Sequence, residues 1–319
     1  MSGGIEVVGI EKLKPLLDKQ EVLAAVRDAL ILQSAGKVRS PLPGQLLFEK
    51  PHGDCHIKYG HVEGSSTFAI KVATGFYENP AKGLPANHGL VMVWDAATGA
   101  PRVLLNDEGW LTAWRTAAAT AIAAKALAPA QMSRVGIVGT GLQASLAVEW
   151  LVETLGDQAF VIWGRDPAKA MSLADQHTAT GRTVSSVKRI EDLLHTCNVI
   201  VTATPSKSAL FSGDAVRAGT HVVGIGADSP GKQELPSELF ARASCILTDD
   251  SNQCLDHGDY GCAVRAGVVG KGRDIMLGEV LAERVRIDRK ADDTTIADLT
   301  GIAAEDIAIA GLFCEKLAA

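Results

Sequence analysis

Aromatic residues are scarce in this chain, 5% of 319 positions, and basic charge is not in surplus: 31 Lys and Arg face 37 Asp and Glu, a formal net charge of −6. Nucleic acid requires a basic surface, and single strands also require aromatic stacking platforms, so no nucleic-acid partner is expected. None of the six cysteines (Cys55, Cys197, Cys245, Cys254, Cys262 and Cys314) forms a C-x-x-C pair. That spacing argues against a closed zinc site or a disulfide framework, and no metal is expected. Cys254 and Cys262 flank His257 in a stretch that reads as a loop, taken as ordinary thiols beside a surface histidine. No apolar run nears the roughly 20 residues that cross a bilayer. The start, MSGGIEVVGIEKLKP, lacks the basic opening and apolar stretch of a secretory signal. The expectation is a cytoplasmic protein with reduced thiols and no membrane partner.

What is present is ordinary globular material, 47% hydrophobic and 21% charged. At roughly 150 residues per domain the length suggests about two domains. Residues 11–36 carry apolar side chains at helical spacing and end at Gly36. Residues 37–105 alternate short apolar runs (QLLFE, FAIKVAT, LVMVWDA, PRVLLN) with Gly, Pro and Asn clusters, a mostly β unit. DAATGAPRVLL in it reads as a hairpin turning at Thr98-Gly99. The Ala-rich LTAWRTAAATAIAAKALAP then predicts a long helix between Gly109 and Pro129, linking two domains.

From Gln131 the rhythm is strand, turn, helix. RVGIVGT, AFVIWGR, NVIVTATP, HVVGIGA and CILTDD are near-continuous Val/Ile runs, as in parallel strands buried on both faces. Their alternation with helices predicts a doubly wound α/β domain over 114–296. The tail IADLTGIAAEDIAIAGLFCEKLAA reads as helical and is expected to fold back, so that 1–113 and 297–319 form a smaller α+β domain built from both chain ends.

The first strand runs into Gly139-Thr140-Gly141-Leu142-Gln143-Ala144 and an amphipathic helix. In such a turn the first Gly permits the tight bend and the second lets the backbone approach a pyrophosphate. The third small residue, Ala144, lets helix and strand pack closely, and the helix N-terminus faces the phosphates. A nicotinamide dinucleotide is therefore expected. The second strand ends with Gly164 and Arg165, with no carboxylate at its tip to accept the ribose hydroxyls of NAD. Arg165 could instead pair with the 2′-phosphate of NADP, so NADP(H) is favoured and NAD(H) stays possible. The competing acid, Asp166, precedes Pro167 and suits a helix cap. Thr202, Ala203 and Thr204, closing NVIVTATP, are taken as further cofactor contacts.

Over nearly its whole length the chain resembles the ornithine cyclodeaminase/mu-crystallin family. Four stretches carry the resemblance: AIKVATGFYENPAKGLPANHG, DAATGAPRVLLNDEGWLTAWRTAAATAIAAKALA, VGIVGTGLQA and VVGIGADSPGKQEL. It implies a homodimer with a Rossmann domain and a smaller substrate-binding and dimerisation domain. It also implies hydride transfer at the α-carbon of an amino acid or its imine. By the family's motifs, Lys71 and Arg115 would hold the substrate carboxylate, with Arg39 a weaker match. Asp228 would be the catalytic carboxylate, with Lys71 also taken as catalytic, and His88 falls near a position where some relatives contact substrate. His56 and Lys58 replace the region where ornithine cyclodeaminases carry a catalytic glutamate.

The residue types agree with those roles. An Arg orients a carboxylate through two parallel hydrogen bonds, and an Asp just past a strand of an open α/β sheet lies at its ligand-binding edge, placed to exchange a proton. Without the resemblance, Lys71 would read as an edge-strand charge, Arg115 as a solvated helix charge and Asp228 as a turn former. The function expected is NAD(P)H-dependent reduction of a cyclic ketimine acid, Δ1-pyrroline-2-carboxylate or Δ1-piperideine-2-carboxylate, to proline or pipecolate. Gln143 would help seat the nicotinamide. The alternatives are an ornithine cyclodeaminase recycling NAD and a non-catalytic, crystallin-like dinucleotide binder.

Overall fold

The structure, a computed structural model, describes residues 5–318. The chain divides into two compact units: one runs to Thr116 and resumes at Ile302, the other spans Ala117–Gly301.

The first unit is a sheet backed by helices. It contains β1 (Glu6–Gly9), α1 (Ile10–Leu13), α2 (Lys19–Ser34), β2 (Val38–Arg39), β3 (Gly44–Phe48), β4 (Gly53–Val62), β5 (Thr67–Phe76), β6 (Asn87–Asp95) and β7 (Pro101–Asn106). The strand order is β1-β7-β6-β5-β4-β2, with β3 also on β4. The helix expected over 11–36 is interrupted. A 3-10 turn follows α1, and Asp18 restarts the chain as a capping box: its Oδ1 accepts from the Gln20 and Glu21 amides at 2.8 and 3.1 Å. The β6–β7 hairpin turns where expected, with Gly99 at φ 71° and Asp95 accepting from the Thr98 amide.

Strand alternation gives this sheet two unlike faces. Val8, Leu105, Val91, Lys71 and Lys58 form one cross-strand row, and all five are buried. The C-terminal helix, Ala303–Ala318, packs against this part of the sheet and against α2. The next row, Val7, Leu104, Met92, Ile70 and Tyr59, is on the other face, where Val7 and Tyr59 are 57% and 47% exposed.

After Asp107, whose Oδ2 accepts from the Leu111 amide at 2.8 Å, α3 (Trp110–Ala126) begins; the division between units falls inside it. The second unit continues with β8 (Val135–Val138), α4 (Leu142–Leu155), β9 (Phe160–Trp163), α5 (Pro167–Thr178), β10 (Val184–Ser186), α6 (Ile190–Thr196), β11 (Val199–Thr202) and β12 (His221–Gly224). It ends with α7 (Ser237–Arg242), β13 (Cys245–Thr248), α8 (Ser251–His257), α9 (Asp259–Arg265), β14 (Ile275–Met276), α10 (Leu277–Leu281) and β15 (Thr295–Asp298). All eight strands run parallel, in the order β10-β9-β8-β11-β12-β15-β13-β14. This is a Rossmann-type doubly wound sheet whose order reverses between β8 and β11, the crevice where such folds bind ligands.

Two expectations need correction. Residues 295–298 are not helix but strand β15, inserted between β12 and β13. The chain then breaks because Asp249 Oδ2 holds the Thr300 and Gly301 amides at 2.8 and 2.6 Å, with Gly301 at φ 71°. The Cys254–Cys262 stretch is not a loop but α8 and α9, and His257 is buried, 4% exposed.

Candidate active-site residues

In the first unit, three cations and two carboxylates share the buried face. Lys71 sits mid-sheet on β5, not on an edge strand, and its Nζ lies 3.2 Å from Asp306 Oδ2. Arg115, one turn into α3, is buried rather than solvated. Its Nη1 donates to Glu305 Oε2 at 2.7 Å and its Nε to Asp306 Oδ1 at 3.1 Å. Lys58 stands directly across the strand pair from Lys71 and is 6% exposed. Burial, with Arg115 and Lys58 nearby, pulls Lys71 down to about 7 despite Asp306. Asp306 is itself held below the usual carboxylate range by Arg115 and Lys71, against its burial. The result is an ionised acid beside a lysine that titrates near neutrality.

Glu305 and Asp306 were missed in sequence. The signal was there: two adjacent carboxylates in an apolar helix must be paired if the helix is buried. The structure does not bring His88 or Arg39 to this cluster. His88 pairs with Thr74 and Arg39 with His61; each is one step out of phase with the Lys58–Lys71 row, hence on the other face, and both residues are exposed.

In the second unit, Gly139 follows β8 at φ 137°, and a Cβ there would lie 2.6 Å from the Ala203 carbonyl oxygen. Only glycine fits. At Gly141 a Cβ would meet nothing within 4 Å, so the space beside the turn is open. Gly141 precedes the first residue of α4 with no side-chain cap, Ala144 is fully buried, and Leu142 is 54% exposed. An open space at the uncapped start of a 14-residue helix fits a pyrophosphate. Gly164 packs on Thr140, where a Cβ would meet its methyl at 2.4 Å. Arg165 is exposed, while Asp166 is committed to α5: its Oδ1 accepts from the Ala168 amide at 3.0 Å, with Pro167 at the first helical position.

Asp228 lies four residues past β12, at the same C-terminal edge of the sheet. Its side chain is 41% exposed and pairs with Lys232 at 2.6 Å. Behind it the strand ends are lined with buried carboxyls. Glu234, Asp249, Asp259 and Asp298 are all fully buried, and burial raises each above the usual carboxylate range. Glu234 was not singled out in sequence, although Thr202 and Thr204 both donate to it. Among the described residues no group of three His, Cys, Asp or Glu could hold a metal ion, and no helix is long and apolar enough to cross a membrane.

The family model for the ornithine cyclodeaminase/mu-crystallin family matches residues 7–319. The chain belongs to that family. Its structure is similar to an archaeal alanine dehydrogenase, a dimer with bound NAD, at 31% identity and a TM-score of 0.90, covering 98% of this chain and 96% of that one. It is similar to the Δ1-pyrroline-2-carboxylate reductase of Thermococcus litoralis, in complex with NADH and L-proline, at 26% identity and a TM-score of 0.91 with 98% of each chain covered. It is also similar to a lysine cyclodeaminase that recognises L-lysine, L-ornithine and L-2,4-diaminobutyric acid, at 28% identity and a TM-score of 0.87, covering 99% and 93%. The chain is an enzyme of this group, an oxidoreductase acting at C–N bonds or a cyclodeaminase, with an NAD-binding Rossmann domain.

Proposed function

We propose that the enzyme reduces a cyclic ketimine acid, Δ1-pyrroline-2-carboxylate or Δ1-piperideine-2-carboxylate, to the cyclic amino acid. The observation that carries this reading is the buried cationic row. Lys58, Lys71 and Arg115 offer three positive groups where a substrate carboxylate needs a fixed partner, and Glu305 and Asp306 hold Arg115 in one orientation. Arg115 and Lys71 orient the carboxylate. When bound, the dinucleotide supplies the hydride for the imine carbon. Asp228, half-buried at the sheet edge and paired with Lys232, exchanges the proton on the substrate nitrogen, directly or through water. A lysine at position 58 also repels a second ammonium group, which disfavours ornithine or lysine as substrate.

The Thermococcus litoralis relative, with its NADH and L-proline, supports the same reading. Arg165, exposed where no carboxylate is available, favours NADP(H) over NAD(H). The half-exposed apolar row through Val7, Met92, Ile70 and Tyr59 suits a second copy of the chain, and the archaeal relative is a dimer. The test is absorbance at 340 nm with each cyclic imine, run separately with NADH and NADPH. Loss of absorbance supports the reductase. Ammonia release from ornithine with no net change in cofactor, and no reduction of either imine, would replace it with a cyclodeaminase.

A further inference from the structure

Glu234 has no part in the chemistry above, yet it is a carboxylate with no exposure at all at the C-terminal edge of the Rossmann sheet. Four hydrogen bonds account for it. Oε1 accepts from the Thr204 amide at 2.6 Å and the Thr204 hydroxyl at 2.8 Å. Oε2 accepts from the Thr202 hydroxyl at 2.8 Å and the Gly226 amide at 2.7 Å. Thr202 closes β11, and Gly226 lies two residues before Asp228, so one side chain ties two neighbouring strand ends together.

The surroundings leave it no slack. A Cβ on Gly226 would lie 2.1 Å from the Thr204 carbonyl oxygen and 2.7 Å from Glu234 Oε2, so the two loops touch at a point only glycine allows. Glu234 is itself held from behind, its amide donating to Asp259 Oδ1 at 2.8 Å. Thr204 and Gly226 contribute backbone amides, and backbone amides set where a loop runs. Thr202, fully buried with its hydroxyl on Glu234, acts through that bond and not by reaching solvent.

We propose that Glu234 is a positioning residue: its carboxylate fixes the Thr202–Thr204 segment and the Gly226–Asp228 segment at one spacing, so that dinucleotide seating and proton exchange are set together. This rests on the reading of that edge as a dinucleotide site. It makes Glu234 a strict acceptor, because all four partners are donors. Glutamine keeps the shape but sets its NH2 against a backbone amide, donor against donor, and forces the neighbouring Thr hydroxyl to turn from donor to acceptor.

The test is NADH titration by nicotinamide fluorescence, together with steady-state kinetics and thermal melting, on the intact enzyme. Glu234→Gln is expected to raise the NADH Kd at least tenfold and to lower kcat with the imine, while the imine KM changes less than threefold. An unchanged Kd and kcat, whatever the melting temperature, would overturn the proposal. Should Glu234→Gln fail to fold, Thr202→Val decides: it deletes one of the four bonds and leaves Glu234 in place. A Kd raised threefold or more supports the proposal, and an unchanged one overturns it. Wild-type protein that binds no NADH overturns both this proposal and the dinucleotide reading. Wild-type protein that binds NADH but reduces no imine fails only the substrate assignment, and the Kd comparison still decides the role of Glu234.

Discussion

Lys58 and Lys71 stand directly opposite each other on antiparallel β4 and β5, both buried on the same face of the sheet. Like charges so placed disfavour each other's protonation, and Lys58 is one of the groups holding Lys71 near 7. On the proposed reading Lys71 holds the substrate carboxylate, and with that value it loses its charge as pH rises past neutrality. The substrate KM should therefore climb above about pH 7. Lys58→Met removes one of the repelling charges, so the rise should begin at higher pH. A pH profile of kcat/KM on both proteins checks this; coincident profiles would dismiss the coupling. The sign for stability is separate. Between 7 and the free-lysine value the unfolded chain binds the extra proton, so stability rises with pH there.

Arg115 pairs with Glu305 at 2.7 Å and shares Asp306 with Lys71. Removing it takes a charged partner from two buried carboxylates, and breaking a buried pair typically costs about 3–5 kcal/mol. Arg115→Met should show that loss in urea unfolding. Arg115→Lys retains the charge but cannot bond two acids in a fixed plane. It should fold, yet lose on the order of a hundredfold in kcat/KM, roughly the 3 kcal/mol of one charge-assisted contact. Near wild-type kinetics in Arg115→Lys would mean that Arg115 only braces the C-terminal helix.

Legibility in sequence followed how local each feature is. The five strands from RVGIVGT to CILTDD were readable because parallel strands buried on both faces are runs of Val and Ile. Thr295–Asp298 was not readable, because it is a strand only by virtue of β12 and β13, which end 71 and 47 positions before it. Of the proposed site residues, Lys71 and Arg115 were singled out by motif and Arg165 by a strand tip without a carboxylate. Glu305, Asp306 and Glu234 were missed because their meaning comes from partners distant in the chain. His88 and Arg39 have plausible residue types, but strand register decides which face a side chain takes, and neither shares the face of Lys71.

Gly139 and Gly141 should separate fold from ligand. Gly139→Ala forces a Cβ into the Ala203 carbonyl at a φ of 137°, so it should lower the melting temperature and abolish NADH binding together. Gly141→Ala meets nothing within 4 Å and should melt within a degree or two of wild type while raising the NADH Kd tenfold or more. Melting curves with and without NADH read both. If Gly141→Ala keeps full affinity, the pyrophosphate does not approach that backbone.

His221 should govern part of the acid limb of stability. It is fully buried between Thr295 Oγ1 at 2.9 Å and the Ala123 carbonyl at 3.1 Å, and burial pulls it down to about 4. Below 6.5 the unfolded chain takes up a proton that the folded protein refuses until about 4. Stability therefore falls as pH drops across that window, by about 3 kcal/mol from this residue. Glutamine can donate to Ala123 and accept from Thr295 with no titration. His221→Gln should thus lose less stability than wild type between pH 7 and 4, whatever it costs at pH 7. Denaturant unfolding at the two pH values measures the difference directly, and parallel losses in the two proteins would assign the acid limb to other groups.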